Sequence, residues 1–195
     1  MTQTPPPGQP SDTKSVAARY GRLAGAVADR IAAVPDGAWG AASPCEGWTA
    51  RDVVGHLVDV HGMFLGFVGR EIGPVPAVAE DPAGAFAAAS GALQRELDDP
   101  ERAATAFDGF FGPTTLARSV DTFACFDLLV HGWDVARATG GDTTIDPAEL
   151  PWLRATAEAF GEGIRSPNVC GPALEPPVGA DEQTKLLAYL GRRSW

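Results

Sequence analysis

Apolar residues recur along this chain at steps of three and four, the period of a helix with one buried face. Val16, Tyr20, Leu23, Val27 and Ile31 form the first such stripe. They predict an amphipathic helix over residues 13–34, ended by Pro35-Asp36-Gly37. Thr49 is a good N-cap for a second helix, and Asp52 stands where a capping box places its acid. Val53, Leu57, Val60, Phe64 and Phe67 carry the second stripe, which Gly73-Pro74 is expected to stop. Asp81-Pro82 opens a third helix, with proline in the first turn, running through Phe86, Leu93 and Leu97 to Asp98. A fourth is expected from Thr115 to Thr139, closed by Gly140-Gly141. Asp146-Pro147 starts a fifth that stops near Gly163, and Asp181 to Leu190 reads as a short last helix. Residues 100–114 interrupt this series with Phe107, Gly109, Phe110, Phe111, Gly112 and Pro113, the composition of a structured aromatic loop with short extended pieces. Four long helices joined this way predict an all-α four-helix bundle with short additional C-terminal helices, as one domain over residues 13–195.

Composition narrows the class. The chain has 195 residues, 45% of them hydrophobic, which allows a sizeable core. Its formal net charge of −10 argues against nucleic acid, whose phosphates require clustered Lys and Arg, and against an anionic membrane surface. No apolar run is long enough to span a bilayer. Cys45, Cys125 and Cys170 are few and widely spaced, with no CxxC pair, as expected of a reduced, cytoplasmic protein. Residues 1–12 contain Pro5, Pro6, Pro7 and Pro10 but neither a basic nor an apolar leader segment. They read as a disordered tail rather than a signal peptide.

The candidate chemistry lies in the histidines. Asp127 and His131 are four apart, about 40° around a helix, so both side chains share one face. His56 falls within the second apolar stripe. Converging from two helices, His56, Asp127 and His131 would offer two imidazoles and a carboxylate to a divalent ion and leave positions for water or substrate. On spacing alone, ordinary core or interhelical histidines are the favoured reading, because an acid four residues from a histidine is common on helices. His61, about 140° from His56, reads as a surface or interhelical residue. Asp52 suits the capping role better than support of His56; Asp59 and Asp134, three residues after their histidines, could line the pocket, though Asp134 better suits a pair with Arg137 or a backbone cap. Cys45, just ahead of the second helix, could approach the site as a fourth ligand or reactive thiol, but it has no basic neighbour in sequence to activate it, and a buried structural cysteine is the favoured reading. Cys125 reads as core, and Trp48 and Trp133 as core or pocket walls.

Three segments carry a resemblance. Ser43-Pro44-Cys45-Glu46-Gly47-Trp48-Thr49, Asp52-Val53-Val54-Gly55-His56-Leu57 and the run from Asp127 through His131-Gly132-Trp133-Asp134 to Gly140 resemble actinobacterial DinB-like proteins. They are most similar to the metal-binding relatives of mycothiol-dependent maleylpyruvate isomerase, as is Leu186 to Arg192. The resemblance implies a DinB-like bundle with a divalent ion near one end, zinc first, with nickel, iron or manganese as alternatives. It carries ligands onto His56 and His131, and onto Asp127 where the isomerase has glutamate. It further implies a metal-dependent thiol transferase or isomerase with mycothiol as cosubstrate and a small-molecule substrate, in an architecture that permits a homodimer. A non-catalytic metal or small-ligand bundle and a metal-dependent hydrolase stand as alternatives.

Overall fold

The computed structural model describes residues 13–109, 111–165 and 169–195. The proline-rich tail expected at residues 1–12, and Phe110 of the aromatic loop, lie outside the described residues. Contacts along the chain form two compact units, a larger one up to Thr143 and a smaller one from Thr144 to Trp195.

The larger unit is a four-helix bundle. Helix α1 (Thr13–Ala32) packs against α3 (Pro82–Asp98) and α6 (Cys125–Thr139), and α2 (Ala50–Phe67) packs against the same two. Each helix buries the stripe read from the sequence. Tyr20, Leu23, Val27 and Ile31 of α1 meet Val53, Leu57 and Phe64 of α2, Phe86 and Leu93 of α3, and Leu128 and Trp133 of α6 in the interior. Each large apolar side chain so buried contributes about 1.5–3 kcal/mol relative to exposure. Helices α1 and α6 approach closely at Gly132, where a Cβ would lie 2.9 Å from Val27 Cγ2. The glycine beside His131 is therefore a packing requirement.

The caps follow the sequence at most ends. Thr49 and Asp52 form the complete capping box at the start of α2, so Asp52 is occupied as a cap. Helix α2 nevertheless stops six residues before Gly73. Gly69 takes φ +70°, Gly69 N–H donates to Gly66 O, and Arg70 N–H donates to Leu65 O. This glycine closure satisfies the last carbonyls before the expected Gly73-Pro74 stop is reached. Gly140 closes α6 in the same way, at the predicted place.

The expected aromatic loop is a helical turn, α4 (Pro100–Ala103), and a hairpin of β1 (Ala106–Gly109) and β2 (Gly112–Thr115). The fourth helix is continuous in direction but not in type. Helix α5 (Leu116–Ser119) passes through a π-helical turn over Val120–Ala124 into α6. Arg19 of α1 holds that turn through Asp121 at 2.7 Å, both side chains largely buried.

In the smaller unit, α7 (Leu150–Ala159) follows a turn at Asp146 to Glu149, starting later than the expected Asp146-Pro147 opening. Ile164 lies in a 3-10 turn, and α8 (Glu182–Tyr189) is capped by Asp181. Among the described residues no helix is long and apolar enough to cross a membrane.

Candidate metal centre

The bundle brings His56 of α2 to Asp127 and His131 of α6. Each offers a donor atom, and these atoms lie within 4.8 Å of one another. His56 Nε2 is 3.8 Å from Asp127 Oδ2, and the two imidazole rings meet edge to face with centroids 4.8 Å apart. His56 and Asp127 are half-buried, while His131 is buried. Trp48, at the mouth of α2, packs against both rings.

The two histidines hold charge differently. Burial, and then the neighbouring His131, push His56 down to about 4. His56 is thus neutral near pH 7, with a lone pair to offer a cation. Burial is also the strongest single influence on His131, and it opposes charge. Hydrogen bonds of His131 to Asp134 and Cys45, with the carboxylates of Asp134 and Asp127 nearby, together outweigh it and lift His131 to about 9. The Nδ1–H of His131 donates to Asp134 Oδ2 at 2.9 Å. That bond fixes the ring, the arrangement by which carboxylates orient metal-binding histidines, and an ion would take Nε2 in exchange for the proton that nitrogen carries while His131 is charged.

The donor set fits a divalent cation. Two imidazoles and a carboxylate on two rigid helices suit zinc and the borderline transition metals, and three protein donors leave room for an exogenous ligand. Beside His56 a cavity of ≈ 390 Å³ is lined by Trp48, Arg51, Asp52, Gly55, Asp59 and Val78.

Two residues lie near His131 for which the sequence favours a plainer role. Asp134 is fully buried and bonds His131 three residues back on the same helix, the i,i+3 spacing that could have revealed it; the expected pair with Arg137 had drawn it away. Cys45 is half-exposed rather than buried, and its Sγ–H donates to Asp134 Oδ2 at 3.4 Å. It arrives there through the turn Ser43–Trp48. Ser43 N–H donates to Trp48 O, Trp48 N–H to Cys45 O, and Gly47 takes φ +78°. His61 is interior, as an interhelical residue: Nδ1–H donates to Leu57 O and Nε2 accepts from the Tyr20 hydroxyl. Cys125 is core, as expected.

Comparison with known proteins covers this unit. Residues 20–136 match the family described as the mycothiol maleylpyruvate isomerase N-terminal domain, a span that includes every residue of the centre. Two uncharacterized proteins of Mycobacterium tuberculosis, from two strains, are each 29% identical over 157 residues, covering 78% of this chain and 84% of the relative. No solved structure gives a significant match.

Proposed function

The chain belongs to the family of the mycothiol maleylpyruvate isomerase N-terminal domain, and from that membership we propose that it is a metal-dependent thiol transferase or isomerase acting on a small electrophile with a mycothiol-type thiol. The observation that carries the reading is the convergence of His56, Asp127 and His131 within 4.8 Å, with His56 also lining a cavity. In this reading the three residues hold one divalent ion, zinc first among candidates. Bound there, the ion would favour thiolate over thiol and supply a nucleophile at neutral pH.

The chain's own residues do the rest. Asp134 keeps His131 in one orientation through Nδ1. His56 stays neutral and available because burial disfavours its protonated form. Asp127 brings the negative charge that a dication requires. Trp48 walls the cavity and packs against both imidazoles. Arg51, on the same cavity, offers a guanidinium to an anionic group of the substrate.

The test is incubation of metal-loaded protein with mycothiol and a panel of electrophiles, following adduct formation or isomerisation. Metal-dependent turnover that disappears in His56→Ala supports the proposal. Thiol consumption that is equal with and without metal, or no turnover across the panel, contradicts it and favours a non-catalytic binding bundle.

A further inference from the structure

A second set of donors meets at Nδ1 of the His131 ring. Cys45 Sγ lies 3.4 Å from Asp134 Oδ2 and 4.0 Å from His131 Nδ1, and Nδ1 lies 2.9 Å from the same Oδ2. Ligand atoms around one tetrahedral zinc-like ion, with bonds of about 2.0–2.3 Å, stand about 3.3–3.6 Å apart. The three distances straddle that spacing without any backbone movement. Asp134 is fully buried, His131 nearly so, and Cys45 is half-exposed, which gives an ion a way in.

We propose that Cys45, Asp134 and His131 Nδ1 form a separate site for a soft, thiophilic divalent cation, distinct from the His56–Asp127 side and sharing only His131 with it. The chemistry of the donors separates the two. The His56 side offers nitrogen and oxygen only, which suits borderline and harder ions. The Cys45 side offers a thiolate, which selects soft ions. Binding on the His56 side leaves the Nδ1–H bond to Asp134 intact. Binding on the Cys45 side replaces it, and the thiol proton and the Nδ1 proton leave to solvent as the metal–sulfur and metal–nitrogen bonds form. His131 therefore serves one side at the other's expense, so an excess of a soft ion would draw it away from the His56 side.

The probe is cadmium titrated into the full chain, with ultraviolet absorption read for the thiolate-to-cadmium charge-transfer band. The wild type should develop the band to one equivalent. Cys45→Ser should lose it, Asp134→Asn should weaken the binding ~10-fold, and His56→Ala should leave it in place. A Cys125→Ser/Cys170→Ser double variant, keeping Cys45 as its cysteine, should retain the full band and so assign it to Cys45, with circular dichroism of each variant checking that its fold is kept. No band in the wild type, a band that survives Cys45→Ser, or one that vanishes in the double variant overturns the proposal. Because His56→Ala disables the first donor set but not this one, failure of either reading shows separately.

Discussion

Helix α2 carries two buried or half-buried histidines that have the same acidity and opposite situations. His56 and His61 are both pushed down to about 4, and burial is the leading cause for each. His61 is closed. Leu57 O and the Tyr20 hydroxyl take its two nitrogens, and Phe86 packs against its edge. His56 instead faces Asp127, His131 and a cavity. A depressed histidine is thus no mark of function by itself. What separates the two is whether hydrogen bonds already take both ring nitrogens or leave one facing other metal-binding groups.

The largest expected effect breaks the comparison outright. Zinc at 1,000 times its dissociation constant should stabilise the wild type and His61→Gln by about 4 kcal/mol, read as a rise in melting temperature. His56→Ala and His131→Ala should gain little. Equal gains in all four proteins would mean that the two histidines do not differ in the way described.

The next effect is one of pH. His61 is charged in the unfolded chain below 6.5 but stays neutral in the fold down to about 4. The unfolded state therefore binds the extra proton across that window, and stability falls as pH drops through it, by about 3 kcal/mol in full. Tyr20, the titratable group in contact with it, is raised well above its ordinary value by burial and then by Cys125, so it remains a neutral donor throughout. The difference in unfolding free energy between wild type and His61→Gln, measured by denaturant from pH 7 to pH 4.5, should narrow steadily. A constant difference would remove His61 from the acid response.

Smaller changes sharpen the contrast. Tyr20→Phe leaves His61 Nε2 without its donor and should cost about 2 kcal/mol, without altering metal affinity. Thr49→Ala removes the capping box on which α2 begins and should cost about 1 kcal/mol. Chemical denaturation reads both, and metal titration of the same variants shows whether either disturbs the His56 end.

The sequence shows this contrast only in part. The helical stripes were legible because the helices are amphipathic and their interiors apolar, as Tyr20 to Ile31 and Val53 to Phe64 illustrate. His56, Asp127 and His131 were legible as a set from helical spacing and resemblance together. Cys45 was legible only as a residue able to approach the site, because its place beside Asp134 depends on how the turn Ser43–Trp48 folds back onto α6, a contact between residues 89 apart in the chain. The π-helical turn before α6 has no sequence signature of its own; it is fixed by tertiary contacts such as that of Arg19 with Asp121. The early end of α2 arose because two glycines could each close the helix, and the nearer one does.

The most direct measurement is the metal content of the full chain, purified without an affinity tag, dialysed against zinc and then against metal-free buffer, beside Asp127→Ala and His56→Ala. The account predicts about one tightly held ion per wild-type chain, because the two donor sets share His131 and zinc, a borderline ion, takes the His56 side, with loss of that ion in both variants. Retention of the ion in both variants, or its absence from the wild type, would contradict it.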